Sequence, residues 1–151
     1  MSSSNTCQVN DQVVKTQLQN FQVHPFSGEC DIWCQMEGSD KTVDFNLIYQ
    51  RHLFREASLS VISVDHDKHT IPVKNGEILY IFNAGPYPCS AEVHIDQQFS
   101  ESSKLYCLDR HDSVSIECTP NIVVHLDTMV EITAHLTTKI LVSRLLPMTA
   151  N

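Results

Sequence analysis

Apolar and polar side chains alternate with a period of two through most of the chain. In residues 43–49, Val43, Phe45, Leu47 and Tyr49 fall on one face, while Asp44, Asn46 and Ile48 take the other. In 57–64, Leu59, Val61 and Ser63 alternate with Ser58, Ser60 and Ile62. The run 76–83 is apolar almost throughout, which predicts a strand buried on both faces. Further strand-like runs occupy 91–95, 104–108, 113–118, 121–126, 130–136 and 138–146. Turn residues separate them: Glu37 to Asp40, Asp65 to Lys68, Asn75-Gly76, Gly85-Pro86, Ser100 to Ser103 and Thr119-Pro120-Asn121. Short strands at this spacing predict an all-β jelly-roll barrel or sandwich in one domain. The one helix candidate is Asp11 to Asn20, where Val13, Val14 and Leu18 form a thin stripe. The expected layout is therefore an N-terminal arm or short helix over 1–18, a β domain over 19–147 and a tail over 148–151.

Length adds little to that picture except scale. A chain of 151 residues fits a single domain and buries enough surface to fold without staples. Charge excludes more. With 18 acids against 10 bases the net charge is −8, and no basic stripe exists to neutralise phosphates. Nucleic acid and anionic membrane surfaces are thus unsuitable partners. The N-terminus lacks a basic region followed by an apolar one, and the apolar runs are too short to span a bilayer. The expected compartment is the cytoplasm, where the six cysteines (Cys7, Cys30, Cys34, Cys89, Cys107, Cys118) stay thiols. No CxxC pair occurs. Cys30 and Cys34 read as same-face residues of one strand, and buried structural thiols are the expectation for the set.

One stretch carries more than periodicity. Pro25-Phe26-Ser27-Gly28-Glu29 is followed by an apolar strand around Ile32 and Trp33, and then by Asp44-Phe45-Asn46-Leu47-Ile48. Strands like 57–64 and 77–82 come next, then Cys107-Leu108-Asp109-Arg110-His111-Asp112-Ser113. In this order the residues resemble the HutD/Ves family, over roughly 19–146, and correspond to the second half of its double-cupin fold. The motifs of the family's first half are missing, and where the family has a basic residue after Asp-Phe-Asn, Gln50 stands here with Arg51 beside it. The resemblance implies a cupin-like barrel and a non-enzymatic role, linked in one branch with histidine utilisation and in another with stress. A chain holding one half of a double barrel would leave strand edges open, which predicts a two-fold homodimer.

Candidate chemistry is sparse. Metal-dependent cupins need a close His pair, a carboxylate and a distant His converging on one ion. The nearest approach is His94-Ile95-Asp96 with His125 distant, and Glu101 and His135 as further donors. His125 and His135 flank Thr128-Met129, which reads as a turn allowing cross-strand pairing. No Gly-x-Ser-x-Gly elbow or phosphate-cradling glycine loop is present. Asp44 and Asn46 share a strand face, either locking a barrel corner or lining its mouth. In the second reading Arg51 supplies the cation for a carboxylate and Trp33 covers the opening. The sequence therefore predicts a metal-free, cofactor-free module that binds a small polar or anionic metabolite. A metal-dependent cupin enzyme and a structural sandwich protein are the alternatives.

Overall fold

The computed structural model describes residues 2–9, 12–29, 31–36, 44–97, 100–118 and 127–148. Their contacts group the chain into two compact units, Met1–Asn46 and Leu47–Asn151.

The first unit holds three antiparallel strands, β1 (Ser2–Val9), β2 (Gln12–Gln19) and β3 (Asp31–Met36), in the order β2-β1-β3. The expected arm or short helix is therefore a strand pair. Val13, Val14 and Thr16 are β-branched, which costs side-chain freedom in a helix and suits a pleated surface. Pairing with β1 in continuous register, from Ser2 against Gln19 to Val9 against Gln12, overrides the thin helical stripe.

The second unit has a 3-10 turn at Arg51–Leu53 and, among the described residues, eight strands. These are β4 (Phe54–Val64), β5 (His69–Val73), β6 (Ile78–Asn83), β7 (Cys89–Gln97), β8 (Ser100–Leu108), β9 (Ser113–Glu117), β10 (Asp127–Ala134) and β11 (Thr138–Pro147). They form two four-stranded antiparallel sheets, β4-β11-β6-β9 and β5-β10-β7-β8. From β4 to β11 the chain crosses from sheet to sheet at every connection except β7 to β8, which is the double Greek key of a jelly roll. The all-β jelly-roll expectation holds.

Alternation explains the layers. On β7, β10 and β6 the inward residues Ala91, Val93, Val130, Ile132, Leu79 and Ile81 are buried and join one core contributed by both sheets. Full burial of each large aliphatic side chain is worth about 1.5–3 kcal/mol. β6 is not buried equally on both faces, contrary to the reading of its apolar run. Leu79 and Ile81 are sealed, whereas Ile78, Tyr80 and Phe82 are half-buried. On that outer side Tyr80 bonds Ser113 at 2.7 Å and Phe82 stacks on His111 with centroids 6.0 Å apart. Two expected turns also lie inside strands: Ser100 to Ser103 in β8, and Thr128-Met129 in β10. Thr128 points inward and Met129 outward, so polarity at these sites marks a strand face instead of a bend.

Asn83 ends β6 and ties the sheets' loops together. Its side chain donates to the carbonyls of Tyr87 (2.8 Å) and Leu108 (3.1 Å) and accepts from the Gly85 amide and the Thr138 hydroxyl, both at 3.1 Å. It is fully buried and fully paired. Gly85 is required beside it, since a Cβ there would sit 1.9 Å from the Thr138 hydroxyl.

Candidate functional site

β4 and β5 are outer strands of opposite sheets, so the sandwich has an opening where they face each other. The inward side of β4 runs Val64, Ile62, Ser60, Ser58, changing from apolar to small and polar. On β11 the same side runs Ile140, Val142, Arg144, in register with Ile62, Ser60 and Ser58. The result is a cleft of about 140 Å³ lined by Ser60, Ile62, His69, Thr70, Pro72 and Arg144, with Ile71 and Val142 at its base.

Arg144 is the one cation on the inward side of β11, and the fold prepares a partner for it. The Lys74–Glu77 turn, with Gly76 at a positive φ of 75°, delivers Glu77 to the start of β6. Glu77 is 2% exposed. Its carboxylate accepts from Arg144 Nε at 2.8 Å and Nη2 at 2.9 Å, and from the Lys74 amide at 2.9 Å. Arg144 Nη2 also donates to the Pro72 carbonyl on β5. Burial by itself pushes the Glu77 carboxyl up; the Arg144 bonds and the Lys74 amide outweigh it and hold the group below its ordinary value. The Arg144 guanidinium is held correspondingly above its own, chiefly by the Glu77 bonds. Nη1 is left without a partner among the described residues. The bidentate pair fixes the guanidinium plane, so that amino group is a pre-positioned donor for a ligand oxygen.

The residues expected to form a ligand site are placed differently. Residues 44–50 belong to no strand, because alternation supplies a face without supplying a neighbour to complete the ladder. Asp44 and Asn46 are exposed and belong to the first unit. Arg51 is exposed in the 3-10 turn of the second. The Trp33 side chain lies outside the described residues. Of the metal candidates, His125 and the side chains of Asp96 and Glu101 lie outside them too, and His135 is exposed in the β10–β11 loop. His94 sits on the outer face of β7, beside Glu92 and across from β10, where its neighbour is Glu131.

Among the cysteines, Cys89 is buried, Cys118 is half-buried and Cys107 is exposed, all as free thiols. Burial pushes the Cys89 thiol up to about 11, as an inert structural residue requires. Cys30 and the side chains of Cys7 and Cys34 fall outside the described residues. The cleft itself was missed in the sequence, although Arg144 alone among apolar neighbours in 140–146 was a signal. A charged residue in such a run needs a buried partner.

The HutD family model matches residues 6–134. A conserved protein of unknown function from Pseudomonas aeruginosa, solved by crystallography, superposes with a TM-score of 0.62 at 20% identity, covering 96% of this chain and 70% of its own. No curated protein matches. The family match begins ahead of Pro25, and the shared fold takes in more than one of two halves of the solved protein. The second-half alignment drawn from motifs is thus too narrow, because the Ser- and Gln-rich strands β1 and β2 carry no motif to extend it. Among the described residues no helix is long and apolar enough to cross a membrane.

Proposed function

The chain belongs to the HutD family, and from that premise we propose that it is a cupin-type cytoplasmic module that binds a small polar or anionic metabolite in the inter-sheet cleft, without a metal in the cleft and without a catalytic step. The observation that carries this reading is the Glu77–Arg144 clasp at the cleft wall, which holds a guanidinium donor in place before any ligand arrives. Ser60 and His69 add a hydroxyl and an imidazole at the rim, the usual small set of polar groups on an apolar base.

Size restricts the ligand. Pockets for drug-sized molecules run to roughly 300–1,000 Å³, and a cleft of about 140 Å³ accepts a molecule of a few carbons. Charge restricts it further. Glu77 cancels Arg144, so recognition rests on directed hydrogen bonds to a carboxylate or carbonyl oxygen and gains little from net attraction.

A thermal-shift screen with short-chain carboxylates and amino-acid breakdown intermediates tests the reading. At least one is expected to raise the melting temperature of the wild type and to lose that effect in Ser60→Leu, whose side chain fills the cleft. No shift with any of them, or a shift that Ser60→Leu retains, overturns it.

A further inference from the structure

The outer face of the sheet β5-β10-β7-β8 carries a second constellation, unrelated to the cleft. Glu92 and His94 are two apart on β7 and therefore share a face, and Glu131 on β10 stands directly across from Glu92 in register. Their inward neighbours Ala91, Val93, Val130 and Ile132 are buried in the core, so all three project outward. One donor atom from each lies within 4.8 Å of the other two.

The distances decide what the group can hold. His94 Nε2 is 3.4 Å from a Glu131 oxygen and 3.8 Å from a Glu92 oxygen. Nε2 is shut off from solvent and has no hydrogen-bond partner, although the rest of the imidazole is partly exposed. A ring nitrogen facing two carboxylates at these distances can be joined to them by a proton or by a bound metal cation. Zinc binds His nitrogen and carboxylate oxygen at about 2.0–2.2 Å, which places tetrahedral ligands about 3.3 Å from one another. The two separations from His94 are close to the edges of that tetrahedron, and the third lies within 4.8 Å. We propose that Glu92, His94 and Glu131 form a binding site for a divalent transition ion of the zinc class, with the fourth position open to water.

Lys68 competes with such an ion for Glu131. Its ammonium lies 2.7 Å from the same Glu131 oxygen that faces His94. The lysine side chain is 65% exposed and leaves this oxygen at small cost. It hydrogen-bonds one of the two carboxylates, Glu131, and acts on Glu92 only through space. A divalent ion neutralises both and supplies the orphaned nitrogen with a partner. Lys68 is thus an internal competitor, and its removal strengthens metal binding.

The test is zinc titration of the chelator-stripped full chain by calorimetry, with cobalt(II) absorption as the spectroscopic probe. One ion per chain is expected, with affinity weakened at least about tenfold by His94→Asn and by Glu131→Gln. Lys68→Gln is expected to tighten binding several-fold, and the cobalt spectrum to lack the intense sulfur band that coordination by the cysteines would give. No zinc binding, affinity unchanged in the first two variants, or a dominant sulfur band overturns the site. Should His94→Asn fail to fold, Glu92→Gln and Lys68→Gln decide it, and unchanged affinity in both is equally fatal.

Discussion

Replacing Arg144 with Met isolates the clasp that organises the cleft. The substitution keeps much of the aliphatic stem but removes both charge-assisted bonds to Glu77, leaving a carboxylate 2% exposed with the Lys74 amide as its remaining partner. Breaking one side of a buried ion pair costs about 3–5 kcal/mol. The Arg144 side chain is 27% exposed, which places the loss near the lower end, about 3 kcal/mol. For a chain of this size that is a fall in melting temperature of about 6–12 °C. Adding Glu77→Gln to Arg144→Met removes the stranded charge, so the double variant is expected to be more stable than the sum of the singles, by a coupling of at least about 1 kcal/mol. The pH dependence has a fixed sign. The Glu77 carboxyl is held below its unfolded value, so the pair contributes fully above the ordinary glutamate range and loses its contribution as pH falls through the folded value. The gap between wild type and Arg144→Met therefore narrows on acidification and stays constant toward mildly alkaline pH. Urea unfolding followed by far-ultraviolet circular dichroism measures all of this. A loss under about 1 kcal/mol, or strict additivity in the double variant, refutes the reasoning.

Asn83→Leu removes the side-chain partners of the Leu108 carbonyl and the Gly85 amide, at about 1–3 kcal/mol for each group left unpaired, while the Tyr87 carbonyl keeps the Thr138 hydroxyl; a denaturation midpoint close to wild type would contradict the network. Alkylation with iodoacetamide under native conditions, read by peptide mass spectrometry, should modify exposed Cys107 well before buried Cys89, and equal rates would show that the core around Cys89 is open. The homodimer expected from open strand edges predicts twice the chain mass by light scattering at micromolar concentration, and a monomer at high micromolar concentration ends that idea.

The fold was legible because the jelly roll writes a period of two into nearly every strand. The strands were recognisable by counting alone, but the face that Leu79 and Ile81 share was not, because the nearly continuous apolar run 76–83 hides it. What failed did so for two physical reasons. Alternation gives a face but no partner, so 43–49 reads as a strand, whereas the described residues 44–49 belong to none. Polar residues at a strand face also mimic turns, as Ser100 to Ser103 and Thr128-Met129 did. The outer-face site was half legible. His94 stood out, but a spacing rule searches along one strand, and Asp96 was taken as its companion. Its carboxylate neighbours are Glu92, two residues the other way, and Glu131, which only the pairing of β7 with β10 brings across.

The position of the cleft follows from how each edge of the sandwich is finished. Where β8 and β9 face each other, the inward residues Leu108, Tyr106, Val114 and Ile116 carry the core out to the rim, and that side closes. Where β4 and β5 face each other, Ser60 and Ser58 replace the aliphatic residues that would continue the series from Val64 and Ile62, and Arg144 replaces the next aliphatic after Val142. Apolar residues at those positions would extend the core and add burial. A buried carboxylate had then to be placed at Glu77 to hold the arginine, and a buried ion pair is a poor source of stability compared with packed hydrocarbon. Polar groups where packing would favour apolar ones support the proposal of a binding cleft here. The outer face differs in kind: Glu92, His94 and Glu131 stand on a surface where charge is cheap, and their convergence matters through the one nitrogen that solvent does not reach.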